Sequence, residues 1–306
     1  QANTTGDINA AFGAYALKVN TTGSANTAVG KNSLLANTTA GSNTAVGYNS
    51  LSANTTGVNN TAVGQGALQA NTTANENTAF GMSALRLNTT GVFNTAVGLN
   101  AADANTTGQK HTAIGYAALG AATTGEDNTA LGYQSVVAAT TGSCNTGLGR
   151  SAGDNTTTGD NNISLGYAGR PSSATVSDEI TLGNADNNNL RCADTSISTL
   201  SDLRDKTNVE DIPHGLDYIL ALRPVKFDWN RRDGSFKGKK DYGFIAQELD
   251  QVEETFGNKE YTRLVSKENP DKWEADPMKT YPILIKAIQE LNTKIAELEA
   301  KINEWS

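Results

Sequence analysis

Glycine recurs in the first part of the chain at a fixed interval of seventeen residues, from Gly13 to Gly183, without one slip. The residue before each glycine is always apolar, and Asn stands four positions before it in nine of eleven copies, with His111 and Glu179 as the exceptions. Leu often follows four positions after the glycine, and an N-T-T-G-like stretch precedes the next copy. Such a period is typical of a solenoid, in which each repeat contacts only its neighbours.

One copy of the repeat reads N-T-A-V-G-x-x-A-L-x-A-N-T-T-G-x-x. The T-A-V part predicts a short strand, because β-branched residues favour extended structure. The glycine permits a backbone conformation that other residues resist, and N-T-T-G is turn chemistry. No proline occurs before Pro171, which suits a parallel ladder that needs every backbone N–H. Residues 1–183 are therefore predicted to be a mainly β solenoid of 17-residue parallel β-roll coils.

The strand segments predict that these coils need a partner. Ala28 and Val29 are neighbours and both apolar, yet successive strand residues face opposite sides. One side fills the interior of the coil, and the other requires cover from elsewhere. Each coil offers only two or three apolar side chains, so a lone stack is expected to be poorly filled. We therefore expect an obligate oligomer with chains packed side by side.

The N-T-A-V-G unit resembles the S-V-A-I-G unit of trimeric autotransporter adhesin heads, which are parallel β-rolls. The resemblance implies that the solenoid is trimeric.

Composition narrows the function classes. The net charge is −8, and residues 1–200 carry only 7 Lys and Arg against 11 Asp and Glu. A sparsely charged, weakly acidic surface repels phosphates, so no nucleic-acid partner is expected. No apolar run approaches the ~18 residues of a membrane span, so no membrane insertion is expected. The chain begins at Gln1 without an initiator Met or a visible signal peptide, and we expect it to be a fragment.

The cysteine and histidine content of the sequence argues against a metal site and against a disulfide framework. The two cysteines, Cys144 and Cys192, form neither a disulfide framework nor a CxxC pair. His111 and His214 stand alone, whereas zinc requires several clustered ligands. Neither a metal nor another cofactor is expected.

From Ser201 onward the composition is that of a small α+β domain, predicted over residues 201–280 and joined to the solenoid by a linker at 184–200. Within this domain we predict a helix at 217–222 that stops before a proline. A strand is predicted at 225–229, and a second strand at 242–246 that turns into a helix.

The last segment, 281–306, is predicted to be a coiled-coil helix because apolar residues recur at alternating steps of four and three. Ile at a with Leu at d favours a parallel dimer in simple peptides. The trimer implied by the repeats takes precedence, and the alternative is a helix that packs on its own domain. The seam consists of Leu284, Ile288, Leu291, Ile295, Leu298, Ile302 and Trp305.

Three motifs occur in order along residues 201–306: S-D-L-R-D-K, then R-P-V-K-F-D-W, then Y-G-F-I-A-Q-E-L, followed by the heptad helix. This arrangement resembles the peptidase S74 family, the intramolecular chaperone domains of phage tail fibres, tailspikes and endosialidases. The resemblance implies that the domain drives homotrimerisation of the preceding fibre and then cuts itself off. It further implies a protein that folds in the host cytoplasm, becomes part of the virion and binds a host-surface receptor, either a glycan or a protein.

Carried over from the family, the cut falls between Leu200 and Ser201, with Ser201 as nucleophile and Lys206 as its base. A lysine can take the serine proton only if burial or nearby positive charge lowers its pKa. Arg204 is expected to supply such a charge, and Asp202 to orient the amine or the scissile backbone. Attack within one chain and attack by a neighbouring chain both remain open. Without the resemblance, Ser201 reads as a helix N-cap.

These observations predict a phage tail-fibre or tailspike segment that is matured by self-cleavage and has no external substrate. One alternative is a bacterial trimeric surface adhesin head with the same chaperone. Another is a glycan-degrading tailspike, which needs two carboxylates several ångströms apart; here Glu126 and Asp127 are adjacent. A third is ice binding through the threonine columns of N-T-T.

Overall fold

The computed structural model describes residues 3–187, 201–231, 237–257, 259–267 and 273–305. The chain forms two compact units, Gln1–Asn187 and Asn188–Ser306. Within the described segments, no helix combines the length and the apolar character needed to cross a membrane.

Across residues 3–187 the first unit is a parallel β-solenoid, as predicted from the period. Each coil contributes one three-residue strand, and each strand pairs with the strand of the next coil in strict 17-residue register, as Thr44 does with Thr61. The strands are β1 (Ala10–Phe12), β2 (Thr27–Val29), β3 (Thr44–Val46), β4 (Thr61–Val63), β5 (Thr78–Phe80), β6 (Thr95–Val97), β7 (Thr112–Ile114), β8 (Thr129–Leu131), β9 (Thr146–Leu148), β10 (Ile163–Leu165) and β11 (Ile180–Leu182).

The middle residue of each strand points into the solenoid, and its flanking residues point outward. Ala28 is fully buried while Val29 is 36% exposed, which confirms that these neighbours face opposite sides. Ala28 and the alanines at the same position of the next six coils, up to Ala130, pack with a column of leucines four residues after the glycine to form the apolar core. These leucines are Leu17, Leu34, Leu51, Leu68, Leu85 and Leu119.

The interior also holds two columns of buried asparagines, so the expectation of a poorly filled coil was wrong. The turn asparagines begin N-T-T, and Asn71 donates from Nδ2 to the carbonyl of Ala74 (3.0 Å) and to Oδ1 of Asn54 (2.9 Å). The strand asparagines precede the strands, and Oδ1 of Asn60 accepts from the backbone N–H of Asn77 (3.0 Å). Buried polar groups cost little when they are paired in this way.

The glycine column is required both by conformation and by space. Gly47 has φ 133°, a region that L-residues rarely adopt, and a Cβ there would lie 2.6 Å from the carbonyl oxygen of Gly64 in the next coil. Most coils also hold non-glycine residues in the left-handed region at two or three places, such as Ala25, Asn32 and Leu34. The sequence pattern did not reveal these positions, because Leu and Ala have no preference for that region.

The second unit is a small α+β domain ending in a long helix, as predicted. Its helices are α1 (Leu216–Ala221), α2 (Ala246–Phe256), α3 (Lys259–Thr262) and α4 (Tyr281–Trp305). Its strands form two antiparallel pairs, β12 (Val225–Asp228) with β13 (Lys240–Gly243) and β14 (Val265–Ser266) with β15 (Glu274–Ala275). The strand predicted at 242–246 was wrong at its end: β13 ends at Gly243, and Ala246 begins α2.

Tyr218, Leu264 and Ile283 form the centre of this unit, with Phe256 packed against it. Helix α4 enters the core only near its start, through Ile283 and Ala287. Only the first turns of α4 therefore pack on their own domain, as the alternative to a coiled coil had predicted for the whole helix.

Candidate functional site

Ser201 and Lys206 lie together at the start of the second unit. A 3₁₀ turn spans Leu203–Asp205 and reverses the backbone, with the N–H of Lys206 donating to the carbonyl of Leu203 (3.1 Å). The turn directs the Lys206 side chain back, so that its Nζ donates to Oγ of Ser201 at 2.7 Å. A spacing of five residues in sequence thus becomes a direct contact between an amine and a hydroxyl. Leu200 lies outside the described residues.

Asp202 and Arg204 pair with each other beside this contact. Oδ1 of Asp202 caps the turn by accepting from the backbone N–H of Arg204 (2.9 Å), so the capping residue is Asp202 and not Ser201. The guanidinium of Arg204 donates to both oxygens of the carboxylate, and Nη2 lies 2.6 Å from Oδ2. The hydrogen bonds from the Arg204 side chain and backbone hold the pKa of Asp202 below its ordinary value. The positive charge of Arg204 is therefore compensated by Asp202, and the pair fixes the turn.

Ser201 and Lys206 are both exposed in a single chain. A serine–lysine pair can start acyl transfer only when the lysine gives up its proton, which requires burial or nearby positive charge. The contact supplies the proximity of the two groups. Acyl transfer by this pair would further require that the amine be desolvated or placed near positive charge.

The heptad seam of α4 is an exposed apolar stripe. Exposure of its residues runs from 40% at Leu284 to 90% at Trp305, and residues 291–305 are exposed on every side of the helix. An apolar stripe at heptad spacing is buried when a second helix packs against it. Large exposed apolar patches of this kind mark interaction surfaces.

The solenoid carries a second apolar stripe, which we call the outward column: the residue before each repeat glycine. Its members are exposed or half-buried. They are Phe12, Val29, Val46, Val63, Phe80, Val97, Ile114, Leu131, Leu148, Leu165 and Leu182. By the same reasoning, this uninterrupted apolar column of eleven coils marks an interaction surface.

The acidic residues considered for glycan hydrolysis do not form a carboxylate pair across a groove. Glu126 and Asp127 are exposed neighbours in a surface bend. Glu126 accepts from Nε2 of Gln109 (3.3 Å), and Asp127 lies 3.8 Å from Nζ of Lys110.

One buried polar group in the second unit escaped the sequence analysis. Oε1 of Glu253 accepts from the backbone N–H of Leu264 (2.6 Å) and from the hydroxyl of Thr262, so this carboxylate joins α2 to the end of α3 and to the segment after it. Nothing in the sequence distinguishes Glu253 from its exposed neighbour Glu254.

The fold defines a fibre-like β-solenoid followed by a small domain, with a serine–lysine contact where that domain begins. Residues 201–258 match the model of the Peptidase S74 family, described as the chaperone of endosialidase. This segment is therefore similar to the Peptidase S74 domain, and that family is a self-cleaving chaperone. The match begins at Ser201 and is shorter than the resemblance over 201–306. No curated protein and no solved structure matches the chain significantly.

Proposed function

We propose that this chain is a distal segment of a phage tail fibre or tailspike. It assembles as a homotrimer with the help of its C-terminal domain, which then releases itself by cutting between Leu200 and Ser201. The observation that carries the proposal is the 2.7 Å contact between Lys206 Nζ and Ser201 Oγ at the first residue of the S74 domain.

The repetitive solenoid explains why a chaperone is needed. Each coil presents nearly the same outward column to a partner chain, so a slip by one coil between chains costs little locally. A domain that associates in only one register removes this ambiguity. The exposed seam of α4 is suited to that task, since three such helices bury their apolar stripes against one another.

The proposed cleavage is an N-to-O acyl shift followed by hydrolysis. Neutral Lys206 takes the proton of Ser201 Oγ, which attacks the carbonyl carbon of Leu200. The peptide C–N bond breaks, the Ser201 nitrogen receives the proton, and an ester joins Leu200 to Oγ. Water then opens the ester, giving a carboxylate at Leu200 and a free hydroxyl at Ser201. Attack by the Ser201 hydroxyl of a neighbouring chain gives the same products.

Assembly and cleavage are coupled in this account. Ser201 and Lys206 are exposed in one chain, and packing of the S74 domains against each other desolvates the lysine. Removal of the domain leaves the interlocked fibre without a refolding route, so the mature fibre is held kinetically. The remaining solenoid, as part of the virion, contributes to attachment at the host surface.

The test of assembly uses two aspartate substitutions on α4, measured by native mass. Ile295→Asp places a charge in the seam, and Ala300→Asp places the same charge away from it on the same helix. The proposal expects a trimer for Ala300→Asp and loss of both trimer and cleavage for Ile295→Asp. Cleavage of a monomeric Ile295→Asp chain would contradict the coupling.

A further inference from the structure

Four successive coils near the end of the solenoid depart from the repeat at one position. The residue directly after the glycine is Tyr116, Tyr133, Arg150 and Tyr167 in these coils. In earlier coils the same column holds unrelated residues: Ala14, Lys31, Tyr48, Gln65, Met82 and Leu99. This local order is a feature added to the repeat, since the coil itself accepts many residue types there.

The four side chains form a stacked ladder on the surface. The rings of Tyr116 and Tyr133 lie 4.9 Å apart with 17° between their planes. The guanidinium carbon of Arg150 lies 5.6 Å from the ring centroid of Tyr133 and 5.5 Å from that of Tyr167. The three tyrosines are 40%, 46% and 58% exposed, and Arg150 is exposed as well.

Arg150 differs in its charge balance from the other described arginines of the solenoid. Arg86 lies 3.7 Å from the carboxylate of Asp103, and Nη2 of Arg170 lies 2.7 Å from Asp154. Within residues 3–187, Arg150 has no carboxylate within ion-pair distance, and the residues on either side of it in its own coil are uncharged. Its positive charge is therefore held in place by two aromatic rings and left without a counter-ion.

A guanidinium sandwiched between rings keeps its planar fork in one orientation, and cation–π contact stabilises that orientation. Such a fork matches the two oxygens of a carboxylate or phosphate, and the neighbouring tyrosine hydroxyls can donate to the same group. We propose that Tyr133, Arg150 and Tyr167 form a binding site for an anionic surface glycan that bears carboxylate or phosphate groups.

The inference rests on the proposed host-attachment role and specifies its ligand class. In the proposed homotrimer the site occurs three times, so a polymer with repeated anionic groups gains avidity over a single anion. In sequence the ladder residue comes two positions after the outward-column residue, with the repeat glycine between them.

The test measures binding of the full chain to polygalacturonate, which carries carboxylates, and to polyphosphate, with neutral dextran as the blank. Arg150→Gln is expected to weaken binding about tenfold or more. Lys31→Gln removes a positive charge from the same column where no such ladder exists, and it is expected to leave binding unchanged. The polymer that binds more tightly shows whether the site prefers carboxylate or phosphate groups.

Equal affinity of wild type and Arg150→Gln would overturn the site, as would equal losses in the Arg150 and Lys31 variants. Native mass and cleavage are read on the same samples. A trimeric, cleaved chain that binds neither polymer refutes this site alone, whereas a chain that neither assembles nor cuts refutes the proposed function. Loss of the trimer in Arg150→Gln would mean that the ladder is a contact between subunits, which also refutes the site.

Discussion

The two buried asparagine columns should differ sharply in their tolerance of alanine. The comparison is between Asn60→Ala in the strand column and Asn71→Ala in the turn column. Both side chains are fully buried, and both donate to the same carbonyl of Ala74, at 2.8 and 3.0 Å. Either variant therefore leaves that carbonyl with one donor, and the main difference lies in what the Oδ1 atom of each asparagine accepts.

Oδ1 of Asn60 is the acceptor for the buried backbone N–H of Asn77. Its loss orphans a buried donor, so with the lost hydrogen bonds we expect Asn60→Ala to cost about 2–4 kcal/mol. Oδ1 of Asn71 accepts only from the side chain of Asn88, which retains its bond to the carbonyl of Gly91 (2.9 Å). Asn71→Ala also removes the donor to Oδ1 of Asn54, but it orphans only this side-chain acceptor and no backbone N–H, so it is expected to cost only about 1–2 kcal/mol.

The chain supports this ranking by its own substitutions. Alanine replaces the turn asparagine at Ala122 and Ala139, and Oδ1 of Asn105 is left buried without a partner as a result. In the strand column one of the two replacements is His111, which retains an acceptor: its Nδ1 accepts from the backbone N–H of Asn128. The strand column thus keeps the acceptor that the backbone needs.

Two assays check the difference. Thermal unfolding should place Asn60→Ala below Asn71→Ala by roughly 2–8 °C, since about 1 kcal/mol corresponds to about 2–4 °C in a domain of this size. Hydrogen exchange should show lost protection at the amide of Asn77 in Asn60→Ala alone. Equal melting temperatures with an unchanged Asn77 amide would refute the reasoning.

Three further outcomes follow. Burial lowers the pKa of His111 below its ordinary value of 6.5. Below pH 6.5 the imidazole is therefore protonated more readily in the unfolded chain than in the folded chain. The free energy of unfolding has its full value above pH 6.5 and decreases as the pH falls. His111→Asn should therefore melt higher than wild type at pH 5 but not at pH 7.5, and parallel curves would contradict this. Glu253→Ala should destabilise the second unit by about 2–3 kcal/mol in urea, and Glu253→Gln by less because its amide oxygen still accepts; equal losses would exclude this role. Leu148→Asp should abolish the trimer seen by light scattering, while the circular dichroism of the solenoid persists. The control Cys144→Asp, which changes an exposed residue of the same coil, should leave the trimer intact. A Leu148→Asp chain that remains trimeric would show that the outward column is not the contact between chains.

Most of the solenoid's architecture could be predicted from the 17-residue period. Because each coil repeats every 17 residues, like residues stack on like, and the strand and the glycine could be predicted from the sequence, whereas which of the two apolar neighbours faces inward could not. The polar interior could not: N-T-T is ordinary turn chemistry, and only the stacking of coils shows that Asn71 faces the neighbouring Asn54 and not solvent. The left-handed conformation of Leu34 was hidden for a similar reason, because packing and not propensity imposes it.

The candidate site was predicted in part. Ser201 and Lys206 came from the family motif, and the structure places them in contact. Arg204 was expected to place a positive charge near Lys206, but in the structure its guanidinium pairs with the carboxylate of Asp202. Sequence spacing brings these residues near one another without deciding which pairs form, because the 3₁₀ turn sets that choice.

The most direct test of the account is the denaturing intact mass of freshly purified wild type beside Ser201→Ala and Lys206→Ala, with the exposed Lys226→Ala as control. For wild type and Lys226→Ala, the account predicts two fragments, one ending at Leu200 and the other beginning at Ser201. For Ser201→Ala and Lys206→Ala it predicts one uncut chain. An uncut wild-type trimer, or a Lys206→Ala chain that still cuts, would contradict self-cleavage by Ser201 and Lys206.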